Sequence, residues 1–272
     1  MPFRLDPPRS FKDLFVGDGA VGRTVAGMFV CSGDAGAAEI CAGSGLDYVL
    51  IDGEHGPNGL ESILAQLRAI AGYPCVAVVR VPFNDPVLIK QYLDLGAQSL
   101  IVPMVDSAES AREAVRAVRY PPHGVRGVGS ALARSARWNR VPEYLQRADD
   151  FTSLIVQVES AEAVRNAAAI AAVDGIDAVF IGPSDLAASM GLLGQQGHPE
   201  VVAAVKRTIA DVKAAGKTVG VNAFVEADAR DYIEAGADFV NVGADVALLA
   251  RGSEALAAKY ITVDESDRPA SY

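Results

Sequence analysis

The stretch Asp-Tyr-Val-Leu-Ile-Asp-Gly-Glu-His (47–55) runs from a buried-strand pattern straight into a cluster of ionisable groups. Its Tyr-Val-Leu-Ile core is apolar at every position rather than at every second one. A strand that is apolar on both faces is covered on both faces, as in a parallel sheet packed by helices. Asp52, Glu54 and His55 then crowd its end. Charged groups gathered at the C-terminal ends of buried parallel strands face the open mouth of the sheet, where chemistry is done.

The same pattern recurs outward along the chain. Apolar runs at 25–31, 76–81, 99–105, 152–159, 176–182, 218–224 and 238–242 join 47–52 as strand candidates. Between them lie amphipathic segments such as 60–71, 86–95, 107–119, 161–172, 199–215 and 226–235. Ser107 and Asp85 read as N-caps, and Gly96, Gly216 and Gly236 fall where a left-handed C-cap belongs. Strands alternating with helices eight times over about 250 residues predict a (β/α)₈ TIM barrel. The expected organisation is an N-terminal extension (1–24), a barrel (25–261) and a C-terminal tail (262–272). An open doubly wound sheet is disfavoured, because no glycine-rich nucleotide fingerprint follows any strand. Gly-Val-Arg-Gly-Val-Gly (124–129) follows a helix instead.

Composition narrows the function. Of 272 residues, half are hydrophobic, and the formal net charge is −10. An acidic chain is a poor nucleic-acid binder, and no apolar run reaches the roughly 20 residues of a membrane span. Three cysteines without CxxC spacing fit a reducing cytoplasm. The 120–150 connection is long for a compact domain and carries Arg126, Arg134, Arg137, Arg140 and Trp138. It reads either as anion capture or subunit contact, or as a solvated basic face.

The strand ends supply the candidate chemistry. Glu159 closes Thr-Ser-Leu-Ile-Val-Gln-Val-Glu (152–159), and Asp185 follows Ile-Asp-Ala-Val-Phe-Ile-Gly-Pro-Ser-Asp (176–185). Two carboxylates plus water suit Mg²⁺ or Mn²⁺, which keep positions open for substrate oxygens. Arg80 lies inside the apolar run Val-Ala-Val-Val-Arg-Val-Pro (76–82) and needs an anionic partner, either Glu54 or Glu159 or a substrate oxyanion. His55 is a candidate acid/base, since histidine changes charge near neutrality. No lysine lies inside a strand candidate or at its C-terminal end, Lys217 only preceding the run 218–224, which argues against Schiff-base chemistry. Metal, arginine and histidine together can hold the enolate of a 2-oxo acid.

Several motifs carry a family resemblance. Leu-Ile-Asp-Gly-Glu-His-Gly-Pro-Asn (50–58), Val-Arg-Val-Pro (79–82), Arg-Tyr-Pro-Pro-His-Gly-Val-Arg-Gly (119–127), Gln-Val-Glu (157–159) and Phe-Ile-Gly-Pro-Ser-Asp-Leu (180–186) resemble class II pyruvate aldolases of the HpcH/HpaI family. The nearest branch cleaves 4-hydroxy-2-oxoheptanedioate. The resemblance implies a barrel whose C-terminal helix is swapped between subunits of a homohexamer. It implies Mg²⁺, Mn²⁺ or Co²⁺ on Glu159 and Asp185, with pyruvate and an aldehyde as small-molecule substrates. Arg80 would stabilise the enolate, His55 helped by Asp94 would move protons, and Asp52 would be a further active-site acid. Backbone groups of Gly182, Pro183 and Ser184 would receive the pyruvate carboxylate. Asp94 falls near the end of a helix pointing away from the active face, so pairing with His55 would run across a subunit contact. Asn222 and Ser184 depart from the relatives' pattern and would face the substrate pocket. A CoA-thioester lyase of the citrate-lyase β-subunit type is the alternative enzyme, and an oxo-acid-binding barrel the alternative non-enzyme.

Overall fold

The computed structural model describes residues 7–261. Eight strands close into a barrel in chain order: β1 (Val25–Val30), β2 (Tyr48–Asp52), β3 (Val76–Arg80), β4 (Ser99–Val102), β5 (Ser153–Val158), β6 (Ala178–Ile181), β7 (Thr218–Asn222) and β8 (Phe239–Ala244). Every neighbouring pair is parallel, and β8 returns to β1. The fold is the expected (β/α)₈ barrel. The strands are apolar on both faces because each face has its own core. Leu50, Val78, Ile155 and Phe180 fill the barrel, while Ile51, Val79, Val156 and Ile181 meet the helices. Inside, large residues face glycines: the Tyr48 ring takes the space beside Gly27, and the Phe239 ring takes that beside Gly220.

The N-terminal mouth is plugged from within the extension. The turn Phe11–Leu14 buries both of its end residues, and the Phe11 ring lies 5.2 Å from Tyr48 and 4.9 Å from Phe239. Its amides are satisfied by the strands: Phe11 N–H donates to Ser99 Oγ at 2.8 Å, and Lys12 N–H to Ser153 Oγ at 2.9 Å. Residues 1–6 of the expected extension and the tail 262–272 lie outside the described residues.

The expected helices are present, with two differences. The segment 161–172 is two short helices, Ala161–Arg165 and Ala167–Ala171. Asn166 between them donates its side-chain amide to the Asp106 carbonyl at 2.7 Å, a tertiary bond that hydrophobic period does not register. A further helix, Pro183–Ser189, starts directly after β6. The strand expected at 99–105 stops at Val102, because Pro103 has no N–H and Met104 turns left-handed (φ 52°).

The 120–150 connection is neither simply a basic face nor simply an anion trap. Arg126 is fully buried, its guanidinium 4.6 Å from the Tyr120 ring and 3.2 Å from Tyr144 Oη. It draws the two ends of the connection together and meets Asp94, outside the connection, at 3.4 Å. The C-terminal helix Asp245–Ala257 is tied at its start, where Asp245 accepts from the amides of Cys31 (2.7 Å) and Ser32 (3.1 Å). Beyond it, Leu248, Leu249 and Leu256 are exposed. No helix among the described residues is long and apolar enough to cross a membrane.

Candidate active site

The C-terminal mouth holds a cavity of about 880 Å³ walled by Phe29, His55, Arg80, Gln157, Phe180, Gly182, Ser184, Asp185 and Asn222. Each strand delivers its contribution by the two-residue alternation that fills the barrel below. On β3, Val76 and Val78 lie in the barrel core and Arg80 comes next. On β2, Tyr48 and Leu50 lead to Asp52.

Arg80 and Asp52 form a buried, two-pronged pair: Arg80 Nε to Asp52 Oδ1 is 2.9 Å and Nη2 to Oδ2 is 2.7 Å. Strand register sets this up, since Asp52 and Arg80 are direct partners on β2 and β3. The protein partner that sequence predicts for Arg80 is Glu54 or Glu159. Glu54 does contribute, at 3.0 Å from Nη1, but the main partner is Asp52. Glu159 is reached only through Gln157, whose amide oxygen is 3.4 Å from Arg80 Nη1 and whose amide nitrogen donates to Glu159 Oε2. The Arg80 guanidinium also lies 4.9 Å from the Phe29 ring centroid.

Burial opposes the charge on Asp52. The hydrogen bonds and charge of Arg80, with the amides of Glu54 and His55, outweigh it and hold the carboxyl below the usual carboxylate range. Glu159 goes the other way. Burial and the negative charges of Glu54 and Asp185 push it up to about 7, against the pull of the Met104 amide and of Gln157. Burial also raises Glu54 despite Arg80. Cys31 lies beside the site, its Sγ 3.9 Å from Asp52 Oδ2. Burial and the charges of Asp52 and Asp245 push its thiol up to about 12, so it stays protonated and is no nucleophile.

Glu159 is fixed by two devices. Met104, in its left-handed conformation, donates its N–H to Oε1 at 2.8 Å. Gly182 leaves room on the other side: a Cβ there would stand 2.8 Å from Glu159 Oε2 and 3.1 Å from Gln157 Nε2. The Gly182 N–H is already donated to the Val158 carbonyl at 3.2 Å, and Pro183 has none. The first free backbone donor at this helix start is therefore Ser184.

Of the residues singled out in the sequence, Asp52, His55, Arg80, Glu159, Gly182, Pro183, Ser184, Asp185 and Asn222 all converge on this mouth. His55 follows β2 with its side chain two-thirds exposed, 3.9 Å from Glu54. Asp94 does not join them within one chain. It ends the helix Pro86–Asp94, whose C-terminus runs toward the opposite mouth, and it meets Arg126 at 3.4 Å. Sequence reasoning assigned no role to Gln157, Phe29 or Met104. A glutamine inside Leu-Ile-Val-Gln-Val was a usable signal, whereas nothing in a methionine announces a left-handed backbone.

The donor set fits a divalent cation. Glu159 and Asp185 offer hard oxygens, and Glu54 adds a third negative charge nearby. Two carboxylates alone would leave the remaining positions of such an ion for water and substrate.

The chain has known relatives in sequence and in structure. The family model for HpcH/HpaI aldolase/citrate lyase matches residues 25–252. A 4-hydroxy-2-oxo-heptane-1,7-dioate aldolase of Salmonella dublin is 53% identical over 251 residues, covering 92% of this chain and 94% of its own. The crystal structure of an HpcH/HpaI aldolase/citrate lyase family protein from Burkholderia cenocepacia J2315 superposes with a TM-score of 0.86 at 41% identity, covering 91% and 97% of the two chains. A citrate lyase β subunit from Mycobacterium tuberculosis is 19% identical with a TM-score of 0.52 over 80% of this chain and 92% of its own, and shares the fold alone.

Proposed function

The chain belongs to the HpcH/HpaI aldolase/citrate lyase family, and from that premise we propose that it is a class II aldolase reversibly cleaving 4-hydroxy-2-oxo acids to pyruvate and an aldehyde. The observation that carries this reading is one cavity walled by Arg80, Gln157 and Asp185, with Asp52 holding Arg80 and with Glu159 buried behind the wall and bonded to Gln157. The CoA-lyase alternative rests on a far more distant likeness.

Glu159 and Asp185 would hold the divalent ion (Mg²⁺, Mn²⁺ or Co²⁺), which supplies Lewis-acid stabilisation to the oxygens of the 2-oxo acid. The protein's own residues do the rest. Ser184 N–H receives the carboxylate at the start of its helix. His55 takes the proton of the C4 hydroxyl, the C3–C4 bond breaks, and the aldehyde leaves. The electron pair of that bond becomes the enolate of pyruvate, whose oxygen Arg80 stabilises. The same proton, delivered to C3, completes pyruvate. Arg80 arrives pre-oriented because Asp52 occupies its other edge, so no reorganisation is needed as charge develops. Asp94 of a neighbouring subunit would orient His55, and the exposed C-terminal helix would be swapped in the same hexameric assembly. Three free thiols suit a reducing cytoplasm.

The test is exchange of the pyruvate methyl protons in deuterium oxide, followed by proton NMR with Mg²⁺ or Mn²⁺ and again with chelator. Exchange that needs both protein and metal is expected. Methyl protons that persist with metal present would overturn the assignment.

A further inference from the structure

Two asparagines face each other at the mouth, one layer above the apolar pair Gly220 and Phe239. Asn222 ends β7, and Asn241 lies on β8 as its direct register partner. Both follow the Gly220–Phe239 pair by two residues, so both belong to the inner face one layer nearer the opening. Asn222 forms part of the cavity wall, while Asn241 stands behind it and is fully buried.

Their hydrogen bonding is lopsided. Asn241 Nδ2 donates to Asn222 Oδ1 at 3.3 Å, and among the described residues Asn241 Oδ1 has no partner. Asn222 Nδ2 likewise donates to nothing in the protein among the described residues. A buried amide with an unpaired carbonyl is costly, and an apolar residue would avoid that cost. What Asn241 does achieve is orientation: by taking the Asn222 oxygen, it turns the Asn222 nitrogen toward the cavity. In the aldolase reading, Arg80, Glu159 and Ser184 would hold the pyruvate half on the β3, β5 and β6 side. The β7 wall is left for the far end of the aldehyde.

We propose, resting on the aldolase reading above, that Asn241 is a positioning residue that aims the Asn222 amide nitrogen at the acceptor, selecting aldehydes that carry an oxygen beyond the carbonyl. A hydroxyl and a carboxylate would both satisfy this donor. An alkyl group of the same shape leaves it unpaired, the situation that gives hydrogen-bonding sites their discrimination.

The experiment compares kcat/KM for addition of pyruvate to two isosteric aldehyde pairs. Glycolaldehyde against propanal reads a hydroxyl, and 4-oxobutanoate against 4-methylpentanal reads a carboxylate. The enzymes are wild type, Asn241→Ala, Asn222→Leu, Asn222→Ala and Asn241→Ala/Asn222→Leu. The ratio within a pair is internal to each enzyme, so partial loss of folded protein cancels. In at least one pair, wild type is expected to favour the oxygenated aldehyde by about tenfold or more. Asn241→Ala should fall to the same lower ratio as the Asn222 variants, with no further fall in the double variant and the change carried by KM for the aldehyde. The pair that responds identifies the group recognised. A wild-type ratio retained in Asn241→Ala or in both Asn222 variants, additive losses in the double variant, or no preference in either pair would overturn the inference alone. Absence of pyruvate methyl exchange in wild type would overturn the aldolase reading, and this inference with it.

Discussion

Arg80 serves two demands at once. It neutralises a buried carboxylate, Asp52, and it forms part of the cavity wall, where its Nη1 also meets Glu54 and Gln157. These demands separate under mutation. Arg80→Ala leaves Asp52 buried without its counter-charge, at a cost of roughly 3–5 kcal/mol in stability. It also removes an oxyanion donor, worth about a hundredfold or more in turnover. Adding Asp52→Asn removes the stranded charge, so the double variant should regain much of the lost stability and none of the turnover. Urea melts and methyl-exchange rates on wild type and the two variants check this; an Arg80→Ala enzyme turning over near wild type would remove Arg80 from the chemistry. That Arg80 needed an anion was legible in the sequence, because a guanidinium inside the apolar run Val-Val-Arg-Val is buried and a buried cation must be paired. Which anion was not legible, since strand register rather than sequence distance puts Asp52 opposite it. Asn241 escaped notice for a related reason. A polar residue near a strand end is ordinary until its unpaired oxygen and its neighbour are seen together.

At the scale of elements, a repeated device starts the strands. Asp47, Asp177 and Asp238 each stand just before β2, β6 and β8, and each accepts the amide of a residue on the preceding strand: Ala26 at 2.9 Å, Leu154 at 2.8 Å and Val219 at 3.0 Å. The carboxylates thus fasten strands pairwise at the N-terminal mouth. Asp177 does so at a cost: burial raises its pKa, against the opposing Leu154 hydrogen bond and the charges of Lys12, Lys217 and Arg119. A raised carboxyl pKa means that the folded chain binds the proton more tightly than the unfolded chain. The ionised form therefore subtracts stability at neutral pH, and the loss disappears as pH falls below the unfolded value of about 3.9. Asp177→Asn keeps an acceptor oxygen for Leu154 and discards the charge. It should melt higher than wild type at pH 7, with the gain shrinking toward pH 4. A gain independent of pH, or none at pH 7, would contradict this account. The strands themselves were legible because burial on two faces leaves uninterrupted apolar runs. The break at Asn166 was not, because the bond to Asp106 that causes it is tertiary and the alanine-rich pattern continues through it.

For the whole molecule, the fold raises the question of what covers the helix Asp245–Ala257. Its first residue is locked to β1, yet Leu248, Leu249 and Leu256 are 64%, 72% and 58% exposed. Leu249 and Leu256, seven residues apart, lie on one face of the helix with Leu248 beside it, and an exposed apolar face of this kind suits a partner. Asp94 poses a matching problem. It sits toward one mouth of the barrel and His55 at the other, so an Asp94–His55 contact can form only between chains. The proposed oligomer would cover the exposed helix and could bring a neighbour's Asp94 to His55, and a single variant tests both. Leu249→Glu places a charge in the buried face of any such contact, and should lower the mass measured by light scattering while leaving the barrel's circular dichroism intact. If Asp94 orients a neighbour's His55, the dissociated protein should also lose methyl-exchange activity, and Asp94→Asn should slow the assembled enzyme but add nothing in the Leu249→Glu background. An unchanged mass would show that the helix is not the contact. A dissociated chain with full exchange activity would show that each barrel works alone, and would return Asp94 to its bond with Arg126 as a purely structural residue.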